Sequence, residues 1–176
     1  MVGDKEWAQL TETTGINFDS IEAACNTVAG ECSGSVGGKE LTGWTLASIY
    51  DVGELFSEFT PHTGGVDGGH NDVNSSWAPL FLSVFTPTYL SLSKSMAWGR
   101  TRTPSPTISY HTYSGFVEDS FDPLAADRVS TGHTVHGGTV AHIGAWLYKD
   151  ATVPAPASIW LFGVGLITLA GIKRKR

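Results

Sequence analysis

The residues with most chemical potential in this sequence are six histidines and one stretch dense in oxygen ligands. Positions 62–74 read His-Thr-Gly-Gly-Val-Asp-Gly-Gly-His-Asn-Asp-Val-Asn. Asp67, Asn71, Asp72 and Asn74 offer hard oxygen ligands for Ca²⁺, and the glycines would let the backbone wrap an ion. The EF-hand spacing is absent. A polar surface loop is the default for this stretch, and no metal site is assigned. His133 and His136 amount to half of a metal site without the His-Glu-x-x-His pattern that would complete it. His62, His70, His111 and His142 are scattered.

Nucleophilic catalysis finds no Gly-x-Ser-x-Gly elbow, and a Ser/His/Asp set could be drawn from almost any chain so rich in serine. No catalytic residue is therefore assigned. Phosphate loops and dinucleotide fingerprints are missing too, so no cofactor is implied. Trp7, Trp44, Trp77, Trp98 and Trp146 could line a sugar site; five Trp in a body of this size more often form core. Cys25 and Cys32 have six residues between them, too many for a redox or zinc pair. In an oxidising compartment they would close a small loop through Gly30 as a disulfide.

The charge is unevenly distributed. The chain holds 11 Lys and Arg against 17 Asp and Glu, and four of the basic residues are its last four. No acidic residue lies beyond Asp150, so the body has 7 basic against 17 acidic residues, a net charge of −10. An acidic body argues against nucleic-acid binding, which needs basic groups to neutralise phosphates.

The elements that must position these residues can be read in part. Ser48–Phe59 is the clearest helix. Ser48 is the N-cap, Asp51 completes a capping box, and Ile49, Val52, Phe56 and Phe59 form one apolar face. Asp19–Cys25 is a second helix, capped by Asn17 or Asp19. Lys5–Leu10 reads as a short helix or strand, Pro61–Ser76 as a loop, and Trp77–Phe85 as a short helix or buried strand. Leu90–Thr101 and Thr107–Val117 read as strands around a turn at Pro104-Ser105-Pro106. Glu118-Asp119 falls at a strand end, and Gly138–Tyr148 is a final strand. Helices first and strands later predict an α+β fold in one globular domain, residues 1–150.

The C-terminus is more specific. Ala157–Ile172 contains 16 uncharged residues, rich in Leu, Ile, Phe, Ala and Gly. As a helix it would extend about 24 Å, short of a hydrocarbon core of about 30 Å. Snorkelling basic side chains and a locally thinned bilayer would close the gap. Trp160 suits an interfacial anchor. Lys173, Arg174, Lys175 and Arg176 place the C-terminus in the cytoplasm by the positive-inside rule. Ahead of the helix, Val153-Pro154-Ala155-Pro156 cannot join helix or sheet and leaves an extended segment, 151–156, at the membrane face.

The order of Val153-Pro154-Ala155-Pro156-Ala157, then Trp160-Leu161, Gly163, Gly165-Leu166 and the basic run 173–176, resembles the PEP-CTERM sorting domain. Ala155 stands where the family name has Glu. The resemblance covers 24 residues, Val153 to Arg176. It implies an exosortase, an integral membrane transpeptidase-like enzyme, as partner. It also implies a body held on the periplasmic side of the inner membrane, then released to the cell surface or extracellular matrix, with polysaccharide as a further partner. Binding, adhesion or structure would be the body's work. A secreted hydrolase delivered by the same tail, and an uncut single-pass membrane protein, are the alternatives. Separately, Gly43-Trp44-Thr45-Leu46-Ala47 and the helix after it resemble exported bacterial domains with a C-type-lectin-like core. Met1–Trp7 has neither a basic n-region nor an apolar h-region, which leads us to expect a further segment upstream.

Overall fold

The computed structural model describes residues 1–26, 28–61, 69–73, 75–105, 111–136 and 138–151. In chain order the elements are β1 (Lys5–Trp7), a 3-10 turn at Leu10–Glu12, α1 (Phe18–Ala24), β2 (Ser35–Val36), β3 (Lys39–Glu40), β4 (Thr45–Leu46) and α2 (Ile49–Ser57). There follow β5 (Gly69–Val73), α3 (Trp77–Val84), β6 (Tyr89–Leu90), β7 (Lys94–Pro104), β8 (His111–Ser120), β9 (Ala126–His136), β10 (Gly144–Ala145) and β11 (Leu147–Asp150).

The fold is β-rich, which corrects the α+β expectation. Its centre is the antiparallel run β7-β8-β9, flanked by β5 on one side and by β6 and β10 along β7; only β10 runs parallel. A second sheet has the order β1-β11-β4, and β2-β3 forms a hairpin. The α+β reading failed chiefly on β5 and β9. β9 buries Asp127, Val129 and Thr131 on alternate positions. Two of these three are polar, so the period-2 signal of a half-buried strand is hidden from a hydrophobicity reading. β5, Gly-His-Asn-Asp-Val, is equally polar and lies inside the stretch expected as loop. Glu118 and Asp119 fall at the end of β8, directly before its last residue, Ser120. The expected last strand, Gly138–Tyr148, is two short strands in different sheets, β10 and β11.

α2 forms as its sequence directs. Ser48 N–H donates to Asp51 Oδ2 at 2.8 Å, and Asp51 N–H donates to Ser48 Oγ at 3.2 Å, the reciprocal capping box. Burial alone would raise the Asp51 carboxyl. The bonds from Ser48 and the Lys5 ammonium, 2.9 Å away, outweigh it and hold the carboxyl below its ordinary range. Val52, Leu55 and Phe56 are buried in the core against the large sheet, and Ile49 is buried as well. α3 adds Trp77, Ala78 and Phe81 to the same core.

Between these layers lies Trp146, fully buried, in the single residue that separates β10 from β11. Its ring meets Phe56, Phe81 and Phe85 edge-on with centroids 5.6–6.3 Å apart. Its Nε1–H donates to the Gly115 carbonyl at 3.1 Å. Gly99 and Gly115 are register partners on β7 and β8. A Cβ on Gly99 would sit 2.8 Å from the Trp146 ring and 2.5 Å from Leu10, and one on Gly115 would sit 2.5 Å from Val52. The missing side chains are what let the indole and α2 approach the sheet. A β-bulge at the same place sets Thr131 and Gly132 of β9 opposite Gly115.

Gly115→Ala is expected to destabilise the protein by about 1–3 kcal/mol through overpacking. Trp146→Ala should cost about 3–5 kcal/mol as a large cavity. Equilibrium chemical denaturation reads both; an alanine at 115 without effect would contradict this close approach.

Candidate functional site

The predicted oxygen ligands do not converge. Asp67 and Asn74 lie outside the described residues. Asn71 and Asp72 are consecutive in β5, so their side chains point to opposite faces of the sheet. Asp72 Oδ2 accepts the Trp77 Nε1–H at 2.9 Å. Among the described residues no three His, Cys, Asp or Glu side chains are grouped to hold a metal ion. His62 is outside the described residues. His70 stands opposite Val129 in the β5–β9 pairing, and His111 opposite His136 and His133 opposite Ser114 at separate positions of the β8–β9 pairing. The exposed His142 packs on Tyr89.

Sequence reasoning missed what Asp72 does belong to. It is the register partner of Asp127 on β9. Across the next ladder, one position beyond the Glu118–Arg128 pair, comes Asp119 on β8. Three carboxyls thus stand side by side on adjacent strands, an arrangement that costs stability unless it is compensated. Asp127 is buried and compensated: Oδ2 accepts from Ser75 N–H and Ser75 Oγ at 2.8 and 2.7 Å, and Oδ1 from Ser120 N–H at 2.8 Å. It ties the entrance of α3 to the β8–β9 turn. Asp119 is pushed above the ordinary carboxyl range, first by burial, then by the Asp127 charge and a hydrogen bond that favours its protonated form. On the opposite face Glu118 is paired with Lys94 at 2.7 Å.

The tryptophans divide. Trp77 and Trp146 are buried in the main core, Trp7 packs edge-on against Trp146, and Trp98 donates Nε1–H to Ser114 Oγ at 2.9 Å. Trp44 lies under the Lys149 ammonium, 4.8 Å from its ring centroid. Cys25 and Cys32 are joined as a disulfide at the end of α1, in a second core with Phe18, Ile21, Leu46 and Leu147.

Two arginines were also missed. Arg100 and Arg102 alternate along β7 and so share one face. Arg100 is 1% exposed; Nη1 donates to the Gly138 carbonyl at 2.7 Å, and the Phe18 ring lies 5.2 Å away. Burial lowers its affinity for the proton, against the pull of Asp19. An Arg-x-Arg spacing inside a strand was the readable signal.

The body's last strand leads to the tail. β11 is the central strand of its sheet, pairing with β1 through Asp150↔Lys5 and with β4 through Leu147↔Leu46. The Ala151 N–H closes this ladder on the Asp4 carbonyl at 2.8 Å. Val153, Pro154, Ala155, Pro156 and everything after them lie outside the described residues. Residues 152–175 match the PEP-CTERM protein-sorting motif. The chain carries a PEP-CTERM sorting motif. The PEP-CTERM motif marks an exported protein that an exosortase targets, with transit through the membrane on its way. No curated protein and no solved structure matches the chain. Among the described residues no helix is long and apolar enough to cross a membrane; the segment 157–172 is not among them.

The Asp119 shift has a pH signature. A carboxyl raised in the folded state makes that state bind more protons than the unfolded chain between the two pKa values. Stability therefore falls as pH rises through that window and stays lower above it. Asp119→Asn removes the penalty and can still donate to Asp127. It is expected to raise the melting temperature at neutral pH and to lose that advantage in acid below the ordinary Asp range. Thermal melts of both proteins across pH check it; an advantage independent of pH would contradict the assignment.

Proposed function

We propose that residues 1–150 are the cargo of this sorting tail: a noncatalytic domain that works by binding, adhesion or structure at the cell surface or in the polysaccharide matrix. Residues 151–156 form the cleavable linker, 157–172 a short membrane helix, and 173–176 its basic cytoplasmic cap. The observation that carries this reading is positional. Ala151, the last described residue, closes the ladder of β11 on the Asp4 carbonyl and is followed at once by the motif at residue 152.

Two further features support an extracytoplasmic working place. The Cys25–Cys32 disulfide suits an oxidising compartment. A body charge of −10 favours solubility once the tail is gone. The basic cap favours a cytoplasmic C-terminus by the positive-inside rule, which puts the body on the far side.

Mass spectrometry of the mature protein tests this reading. In cells with an active exosortase the C-terminal peptide containing Lys173–Arg176 should be absent, and the new terminus should fall near Val153–Pro156. In exosortase-deficient cells the intact tail should persist in the membrane fraction. An intact tail in both would leave an uncut single-pass protein instead.

A further inference from the structure

We propose that the cavity between α1, the disulfide loop and the far end of β7 binds a small hydroxylated carboxylate, the size of a single sugar acid. The cavity measures about 210 Å³ and is lined by Glu22, Cys25, Asn26, Leu46, Arg102 and Pro104. Drug-sized sites run to roughly 300–1,000 Å³, so this one suits one small ring rather than an extended ligand. It opens to solvent at Asn26 and Pro104, both exposed.

Arg102 defines the ligand's chemistry. Its Nη1 donates to the Val28 carbonyl at 2.8 Å, and its own backbone N–H is fixed on the Ala47 carbonyl at 2.9 Å. Its Nε–H is buried and has no partner. Among the described residues Arg102 makes no ion pair. Nη1 is thus anchored, while Nη2 makes no hydrogen bond among the described residues. Its N–H donors match a carboxylate oxygen, which accepts a charge-assisted bond from a guanidinium.

The loop is shaped to hold this pose. Gly30, at φ +82°, presses against the side chain: a Cβ there would come within 2.9 Å of Arg102 Cδ and Nε. The disulfide between Cys25 and Cys32 closes the loop that carries both Val28 and Gly30. Across the cavity stands Glu22, whose carboxyl is raised first by burial and then by Asp19. Glu22 also lacks an ion-pair partner among the described residues. Its oxygens suit ligand hydroxyls, and its charge, with that of Asp19, disfavours a dianion such as phosphate. Leu46, Pro104 and the disulfide supply apolar walls for a ring.

The site is intrinsic to the body and does not depend on the tail being cut. NMR of the full chain in detergent micelles tests it, with glucuronate as probe and glucose as the control lacking a carboxylate. Glucuronate should shift the Arg102 Nε–H resonance and the Glu22, Asn26 and Arg102 amides saturably at millimolar concentration, and glucose should not. Arg102→Met should weaken glucuronate binding at least about tenfold, the loss expected of a charge-assisted hydrogen bond. The wild-type Nε–H resonance needs no variant. If it stays unmoved by glucuronate, or moves equally with glucose, the proposal is overturned.

Discussion

The contact of the Trp146 indole with the paired glycines of β7 and β8 is the constraint from which most of this architecture follows. An indole has two flat faces and one donor. The donor is satisfied by the Gly115 carbonyl, and the edges meet Phe56, Phe81 and Phe85. For that ring to reach the sheet Gly99 must lack a side chain, and for α2 to pack beside it Gly115 must lack one too. For the ring to come from the β10–β11 junction, the chain must leave the large sheet at Ala145 and enter the small one at Leu147. The backbone bonds around it record this: Trp146 N–H to the Arg100 carbonyl, Ala47 N–H to the Trp146 carbonyl, and Arg102 N–H to the Ala47 carbonyl. One residue thus fixes where the two sheets join, and the entrance of α2 is carried along with Ala47.

Electrostatics then divides the body into satisfied and unsatisfied parts. The acidic row is expensive in principle, yet Asp127 makes three short bonds and turns its charge into a clamp between α3 and the β8–β9 turn. Asp119 yields instead, by holding its proton more tightly. The arginines on the other side are less well served. Arg100 spends one donor on Gly138 and leaves Nε and Nη2 without partners. A buried guanidinium without a carboxylate in contact is costly. In this fold that cost falls beside α1 and the disulfide loop, away from the aromatic core.

What was legible in the sequence depended on whether local chemistry determined the outcome. α2 was readable because cap, apolar stripe and terminating Thr60-Pro61 all agree. α3 was left open between helix and strand, since Trp77–Phe85 is almost entirely apolar and both periods fit. β9 was not readable, because its buried positions include Asp127 and Thr131, and β5 was not, because Gly-His-Asn-Asp-Val is polar almost throughout. Ser75 and Ser120 make Asp127 tolerable inside, and nothing near Asp127 in the chain announces them. The same holds for Arg102, whose meaning depends on a glycine and a carbonyl contributed by a loop more than seventy residues earlier. The tail lies at the other extreme. Its sorting motif is linear, so the match at residues 152–175 needs no fold to be read.

β11 connects these two kinds of information. As the middle strand of its sheet it is held on both edges, by Lys5, Glu6 and Trp7 on one side and by Thr45 and Leu46 on the other. Two lysines at this end add to the anchoring: Lys149 bridges Glu6 at 3.2 Å, and Lys5 covers the Tyr148 ring. Fraying from the chain end would have to break the β1 ladder and the Tyr148–Thr45 pair before it reached Leu147 and the Trp146 contact behind it. An edge strand in this position would transmit disturbance from the chain end into the core far more readily. A central strand instead separates a segment that is read as linear sequence from a domain that must stay folded.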